Sequence, residues 1–311
     1  MLKIFSKNKG KPGQVGLYVS GDKLCLAHVV FEKDAPRLVY SEVIKVSSEK
    51  DRQKQLQEQV NKLGLENTRT AYILAPNDYK LYLVEAPSVE PQEMAAAAKW
   101  KIKDLVDSPL EELAITIFPV PEDAYRGQNA KVYAVTSRKS RIRNIVEFVN
   151  ESGLNLQTID IPELAMMNIA NNFGDDSNGL AFIHLSANGS TLNLSKDGLI
   201  YLTRHLNTRI DQDVINSAEW ESVKERLILE IGRSLDYYQS QMGQSPITKI
   251  MLPLDEEENE QLITQLNEAM GFQVTALDLA DRFAGENEKP KLQPGSFMAI
   301  GGAMRTGKTA A

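Results

Sequence analysis

Two tight turns of similar pattern hold the residues of this chain that are best suited to chemistry. Each turn follows an apolar, strand-like run and brings a serine and a glycine together. Serine hydroxyls donate hydrogen bonds, and glycine lets backbone N–H groups come close to a ligand, so this pairing suits phosphate binding. The residues are Tyr18, Ser20 and Gly21 in the first turn, and His184, Ser186 and Gly189 in the second.

Neither turn offers the ligands that a nucleotide-bound metal requires. Magnesium prefers oxygen ligands, above all carboxylates, and the side chains of Tyr18 and His184 do not replace them. A third turn, at residues 253–258, has no glycine and contains an acidic run that would repel a polyphosphate. The single cysteine, Cys25, and the three histidines form no metal-binding motif. We therefore expect no catalytic residues, no metal and no cofactor, with ATP as a weak ligand at most.

Both turns belong to strand meanders that occur far apart in the chain. Residues 15–30 predict a strand, a turn and a strand, and a third strand follows at 37–46. Residues 180–195 predict the same arrangement, with a third strand at 199–206. Strands alternate with helices after each meander, including a long helical stretch at 212–242. The pattern predicts an α/β protein of two similar lobes that face a cleft.

The composition limits the class of protein. The 311 residues are enough for two domains, and 42% hydrophobic with 25% charged residues is typical of a folded chain. The net charge of -7 argues against nucleic-acid binding. No apolar run reaches the about 18 residues of a membrane span, and a lone cysteine in an apolar strand suits a reducing compartment. We expect a cytoplasmic protein.

Prolines and composition shifts suggest how the chain divides. Pro87 and Pro91 mark the start of a helix–strand–strand–helix block that ends near Gly153. We expect this block to form a small α+β subdomain inserted into the first lobe. The predicted units are a basic tail at 1–14, a first lobe at 15–86 and 154–174, an insert at 87–153, a second lobe at 175–305 and a terminal tail at 306–311.

Two segments are candidates for contact with partners. On the predicted helix of the insert, an aromatic residue stands among three lysines, which suits either a binding face or a helix whose tryptophan packs inward. These residues are Lys99, Trp100, Lys101 and Lys103. The segment 1–12 combines lysines with Leu2, Ile4 and Phe5, which suits either an anionic membrane surface or a free tail.

Four stretches of the chain occur in an order that resembles a known family. They are the hairpin at 16–27, the helix and proline–acid turn at 93–112, the turn at 193–198 and the end at 298–305. In this order they resemble the PilM-like, actin-fold cytoplasmic proteins of type IV pilus assembly, which are related to the cell-division protein FtsA. Within that family the resemblance is to members of the mannose-sensitive haemagglutinin (MSHA) pilus system. It implies an actin-like (RNase H-like), two-lobed α/β fold with a small inserted subdomain.

The resemblance also implies a partner and a location. PilM-like proteins bind a short cytoplasmic N-terminal peptide of an inner-membrane assembly protein, PilN, in a groove between the first lobe and the insert. The implied function is a cytoplasmic scaffold, peripheral to the inner membrane, with a degenerate nucleotide site. The degeneracy follows because ATP-binding members use Asp and Gly where this chain has Tyr18, Ser20, His184 and Ser186.

Two other functions stay open from the sequence, as does self-association. One is an active actin-like ATPase or kinase with unusual phosphate ligands. The other is an adaptor of a type II secretion system, which would share the same fold.

Overall fold

The computed structural model describes residues 10–33, 35–125, 129–186, 189–210, 212–253, 259–270, 273–284 and 289–305. Residues 1–9 of the first predicted tail, the whole predicted tail 306–311, and residues 254–258 of the third turn, with its acidic run, lie outside the described residues. The strands are β1 (Gln14–Ser20), β2 (Lys23–Glu32), β3 (Ala35–Lys45), β4 (Arg69–Ile73), β5 (Lys80–Glu85), β6 (Leu113–Pro119), β7 (Lys131–Arg138), β8 (Asn155–Asp160), β9 (Leu180–His184), β10 (Ser190–Lys196), β11 (Leu199–Leu206), β12 (Lys249–Pro253) and β13 (Gln273–Leu277). The α-helices are α1 (Glu49–Leu63), α2 (Pro91–Ile102), α3 (Lys139–Glu151), α4 (Pro162–Phe173), α5 (Gln212–Ile215), α6 (Trp220–Ser240), α7 (Asn259–Met270), α8 (Leu279–Ala284) and α9 (Phe297–Ala303).

Two five-stranded sheets have the same topology. The first has the order β3-β2-β1-β4-β8, and the second has the order β11-β10-β9-β12-β13. In each sheet the first three strands are antiparallel and the last two join in parallel. The repeated meander predicted from the sequence is therefore confirmed, and each meander forms one half of a mixed sheet.

The first sheet is covered by helices on both faces. On one face, Leu17 and Leu26 pack with Leu56 of α1 and Val149 of α3. On the other face, Cys25 and neighbouring small and apolar residues pack with α4 and α9. Burial on both faces explains why β1 and β2 are apolar almost throughout instead of alternating with polar residues.

Local sequence determines several helix ends. The Ser48 side chain accepts a hydrogen bond from the Asp51 amide at the start of α1, and Gly64 ends that helix with a φ of 59°.

The helical stretch predicted at 212–242 is divided into two helices, α5 and α6. Ser217 accounts for the break, because its hydroxyl donates to the Val214 carbonyl and its carbonyl accepts from the Trp220 amide.

The third sheet is small and fully antiparallel, with the order β5-β7-β6. Helix α2 covers one of its faces, with Ile102 fully buried against Val84 and Ala134. The division predicted from the sequence places residues 80–86 in the first lobe. The structure corrects this, because every residue of β5 pairs with β7 and the strand belongs to the small sheet.

Two helices also lie in a different unit from the one expected. The sequence assigned α3 to the insert, but Ile145 and Val149 pack in the core of the first sheet. It assigned the final helix, α9, to the second lobe, but α9 packs against β1. The Gln14 side chain donates to the Gly302 carbonyl at 2.8 Å, and a Cβ at Gly16 would lie only 1.8 Å from the Ala299 carbonyl oxygen. The insert therefore comprises β5, α2, β6 and β7.

Candidate functional site

The first candidate turn joins β1 and β2. Gly21 adopts a φ of 59°, which favours glycine, and no atom of the described residues lies within 4 Å of the position of an added Cβ. Tyr18 is half-buried on the face that packs against α9 and makes a side-chain hydrogen bond with Ser20. Burial raises the pKa of Tyr18, so the phenol stays neutral at physiological pH.

The second candidate turn joins β9 and β10, and its residues 187 and 188 lie outside the described residues. Ser186 and Gly189 close the turn on each other: the Ser186 hydroxyl donates to the Gly189 carbonyl at 2.9 Å, and the Gly189 amide donates to the Ser186 carbonyl at 3.1 Å. His184 stacks on Phe297 of α9, with ring centroids 5.1 Å apart. Burial lowers the pKa of His184 to about 4, so the imidazole is neutral.

The described parts of these turns lack the features of a metal–phosphate site. Among the described residues, no group of three or more His, Cys, Asp or Glu side chains is placed to hold a metal ion. Of the two serine hydroxyls, that of Ser186 donates its hydrogen bond within its own turn. The turns retain glycine geometry that suits a phosphate, but the described part supplies only neutral groups at positions 18 and 184.

A buried carboxylate between the lobes escaped the sequence analysis. Glu163, at the start of α4, is fully buried. The Tyr79 hydroxyl donates to it, 2.8 Å from each carboxylate oxygen, and Nε2 of His205 lies 3.1 Å from Oε1. Asn193 donates to the Glu163 backbone carbonyl at 2.8 Å. Tyr79 precedes β5, His205 lies on β11 and Asn193 on β10, so this cluster connects the two lobes through α4.

The charges of this cluster follow from its contacts. Hydrogen bonding to Glu163 raises the pKa of His205 above its ordinary value, which favours the protonated imidazolium beside the carboxylate. Burial raises the pKa of Tyr79 well above its ordinary value, so that phenol remains a hydrogen-bond donor. The sequence offered one sign of this site: an acidic residue in the first turn of a helix, three residues after the end of a strand.

A groove of about 350 Å³ separates the insert from the first lobe. One wall is strand β6, of which the six consecutive residues 114–119 line the groove. The opposite wall is apolar and consists of residues from the first sheet and its helices, including Leu74, Ile142, Ile159 and Leu164. Both β6 and β8 are outer strands of their sheets, so each has a backbone edge that pairs with no other described strand.

A buried ion pair lies at the base of this groove. Arg305, which follows α9, contacts the carboxylate of Asp160 at the end of β8. Asp160 is 4% exposed, and its carboxylate also accepts from the Ile161 amide at 3.0 Å. Burial raises the pKa of Asp160, and the nearby guanidinium partly opposes this rise. The ion pair therefore holds Arg305, the last described residue, against β8 at the edge of the first sheet.

The partner-binding candidates of the sequence analysis lie elsewhere. Trp100 is 72% exposed on the outer side of α2, so it does not pack into the insert. The Lys103 amine lies 6.0 Å from the centre of its ring, and Lys101 lies 3.7 Å from Glu85. Lys99 is exposed as well. None of the four candidates lines the groove, and all four are exposed, so they belong to a separate surface.

Comparison with known proteins identifies the class of fold. No family model and no curated protein matches the chain. Among solved structures, the PilM-PilN type IV pilus biogenesis complex superposes with a TM-score of 0.75 and 16% identity, covering 94% of this chain and 98% of that chain. The cytoplasmic domain of EpsL, an inner-membrane component of the type II secretion system of Vibrio cholerae, superposes with a TM-score of 0.51 and 11% identity, covering 94% and 93%. A Bacteroides thetaiotaomicron protein with an actin-like ATPase fold and unknown function gives a TM-score of 0.53 and 11% identity, covering 89% and 94%.

These likenesses establish an actin-like, two-lobed fold for this chain and confirm the predicted fold class. The similarity extends over nearly the whole of each matched chain. None of the described helices combines the length and apolar character needed to cross a bilayer.

Proposed function

We propose that this chain is a cytoplasmic, non-enzymatic scaffold of type IV pilus biogenesis, of the MSHA class. It acts at the inner face of the inner membrane and binds the cytoplasmic tail of a PilN-like assembly protein. The likeness to the PilM–PilN complex supports the kind of partner. The observation on which the proposal depends is the groove between β6 and the first lobe.

The shape and lining of the groove suit an extended peptide. The backbone of edge strand β6 runs along it, and an extended peptide gains affinity from hydrogen bonds to such an edge. Apolar side chains such as Ile159 and Leu164 form the opposite wall and offer contacts for alternate apolar residues of a ligand. The groove is also assembled from two units, which gives a bound peptide the means to fix the insert against the first lobe.

A binding titration tests this proposal. The probe is a fluorescent peptide with the sequence of the cytoplasmic N-terminal tail of a PilN-like protein from the same organism. Thr116 is exposed on β6 and lines the groove, so Thr116→Arg should weaken binding at least about tenfold without unfolding the protein. Thr248→Arg, at an exposed threonine in the second lobe, is the matched control. Equal affinity for both variants, or no binding by the unmodified protein, would contradict the proposal.

Further contacts with the membrane system belong to the same proposal. The exposed face of α2, with Lys99, Trp100, Lys101 and Lys103, is a second candidate surface for the membrane partner. Segment 1–12 is a candidate for peripheral contact with anionic lipid, and its residues 1–9 lie outside the described residues. Self-association is an additional possibility that sedimentation measurements would decide.

An active ATPase or kinase is the second candidate function. The open surroundings of Gly21 and the φ of 114° at Gly189 favour it, because both leave room for a phosphate near backbone amides. Calorimetric titration with Mg-ATP separates the two functions. The scaffold proposal expects weak or no binding and no turnover. Micromolar binding with turnover, lost in Ser20→Leu, would support the enzyme instead.

A type II secretion adaptor is the third candidate, supported by the likeness to the EpsL cytoplasmic domain. The higher TM-score with PilM, 0.75 against 0.51, favours the pilus system. Affinity purification from the native cell would decide between them, since pilus and secretion components would be recovered in the respective cases.

A further inference from the structure

A second cavity, here called the basic pocket, adjoins the groove. It has a volume of about 400 Å³ and lies between the start of β5, residues 106–108 and the start of α3. Three cationic side chains line it, Lys80, Arg138 and Arg141. Lys80 comes from a part of the chain distant from Arg138 and Arg141, so the fold gathers three cations in one cavity and makes the pocket a candidate for an anionic ligand.

The pocket contains one cation more than its carboxylates neutralise. Arg141 pairs with Asp78 at 2.9 Å, and Lys80 pairs with Asp107 at 2.5 Å. Arg138 has no carboxylate partner among the described residues. Nε of Arg141 is buried and donates to no acceptor in the described part of the chain. A polar donor buried without a partner costs free energy, so a ligand oxygen placed here would be stabilising.

The charge balance selects the kind of anion. A single surplus positive charge matches one carboxylate, which carries one negative charge. A phosphate dianion would bring a second negative charge close to Asp78, whose side chain is only 18% exposed, and like charges repel in such a partly buried position. The basic pocket is therefore suited to a carboxylate. Arginine also pairs with carboxylates through two parallel hydrogen bonds, which adds geometric specificity.

The position of the pocket indicates where this carboxylate comes from. Ser137 lines both cavities. On β6, Leu113 lines the basic pocket and the next residue, Ala114, lines the groove. A peptide lying along β6 therefore passes into the basic pocket at the Ala114 end. An extended chain advances about 3.3 Å per residue, so the wall formed by 114–119 matches roughly six residues of such a peptide.

We propose that the basic pocket binds the carboxylate of an acidic residue in the partner segment that occupies the groove. This inference rests on the proposed function. It adds a sequence requirement for the partner: a largely apolar stretch of roughly six residues with an aspartate or glutamate at the end that passes Ser137. Arg138 supplies the unpaired charge and is the residue that discriminates between partners with and without the acid.

Two substitutions of an arginine by the uncharged glutamine test the inference on the full chain, with the PilN-like tail peptide as the ligand. Arg138→Gln should weaken binding about fivefold or more. Arg143→Gln removes the same charge from another exposed position, on helix α3 that follows Arg138, which does not line the pocket, and it should change affinity less than about twofold. Each acidic residue of the peptide is replaced in turn by its amide. Replacement of one of these acidic residues should weaken binding by the same factor as Arg138→Gln. Combining that peptide with the Arg138→Gln variant should weaken binding no further.

The outcomes separate this inference from the proposed function. If the unmodified protein binds the peptide but Arg138→Gln binds equally well, the groove proposal stands and the inference is wrong. If no peptide acid is coupled to Arg138, the inference is likewise wrong. If the unmodified protein does not bind the peptide, both fail. Arg138→Glu paired with a lysine at the coupled peptide position should recover binding, which excludes misfolding as the cause of the loss.

Discussion

Oε1 of Glu163 and Nε2 of His205 lie 3.1 Å apart, although 41 residues separate them in the chain and they belong to different units. Glu163 begins the helix that connects the two sheets, and His205 lies on the antiparallel edge of the second sheet. Tyr79, just before the insert, completes the contact from the side of the first lobe. The pair therefore links the second lobe to the connecting helix at the point where the insert begins.

We expect the stability of the protein to depend on pH through His205. Its pKa is raised in the folded state by the hydrogen bond to Glu163, so the pair stabilises the folded state fully below the ordinary histidine pKa of about 6.5. This contribution is lost as pH rises through the raised pKa. In urea denaturation between pH 6 and pH 8, the free energy of unfolding of the unmodified protein should fall as pH rises. His205→Gln should not show this fall.

His184 provides the opposite case and serves as the control. Burial lowers its pKa to about 4, so its neutral form favours folding above about 6.5 and that contribution is lost as pH falls toward 4. His184→Gln should therefore change the acid side of the stability profile and leave the side above pH 6.5 unaltered. A profile in which both variants change the same pH range would contradict both assignments.

Removal of the Tyr79 hydroxyl should destabilise the fold. Tyr79→Phe leaves the buried carboxylate of Glu163 without one of its donors, at a cost of about 1–3 kcal/mol in the free energy of unfolding. Tyr82→Phe, on the neighbouring strand β5, removes a hydroxyl that has no hydrogen bond to a described residue. Its free energy of unfolding should change by less than about 0.5 kcal/mol. Equal effects would argue against the carboxylate as the cause.

Close packing of α9 on β1 predicts that Gly16 tolerates no side chain. A Cβ there would lie 1.8 Å from the Ala299 carbonyl oxygen, so Gly16→Ala must displace α9 at a cost of about 3 kcal/mol. Gly232→Ala is the control, because Gly232 lies inside α6 and an added Cβ meets no atom within 4 Å in the described part of the chain. That substitution should stabilise the protein by about 0.5–1 kcal/mol. Thermal denaturation of both variants measures the contrast.

The ion pair at the base of the groove should be costly to break from one side. Arg305→Met leaves the carboxylate of Asp160 buried without its charge partner, and such losses cost about 3–5 kcal/mol. The double variant Asp160→Asn with Arg305→Met removes the buried charge as well and should recover a large part of that loss. Urea denaturation of the single and double variants checks this, and a double variant no more stable than Arg305→Met would contradict it.

Trp100 should matter for binding and not for folding. Its side chain is 72% exposed, so Trp100→Ala should change the free energy of unfolding by less than about 0.5 kcal/mol. If the outer face of α2 contacts the membrane partner, the same variant should weaken binding of the complete cytoplasmic tail but not of the short groove peptide. Unchanged affinity for both probes would remove this surface from the proposal.

The sequence was most informative where periodicity and turns act locally. The glycine after α1 marks the end of that helix, and the two meanders predict the antiparallel half of each sheet. The apolar stripe of α6, including Val223, Leu227 and Ile231, is buried as its 3–4 spacing predicts. These features depend on residues that are close together in the chain, so a pattern in the chain is enough to find them.

The units to which elements belong were harder to predict. Strand β5 looks the same in sequence whether it joins the first sheet or the small one, because pairing partners are distant in the chain. Helix α3 has one apolar face, and the sequence does not identify which core receives that face. Helix α9 follows the second lobe in sequence but packs on the first sheet, a placement that depends on the close approach of Gly16.

By itself the sequence determined the α/β class, the duplicated meanders, the glycine turns and the lack of carboxylates at positions 18 and 184. Only the tertiary structure decided that Tyr79, Glu163 and His205 meet, and that β6 and the first lobe enclose a groove beside a basic pocket. The physical reason is that local propensity and periodicity operate over a few residues. The sites arise from contacts between distant segments, whose geometry is fixed by the packing of helices on sheets.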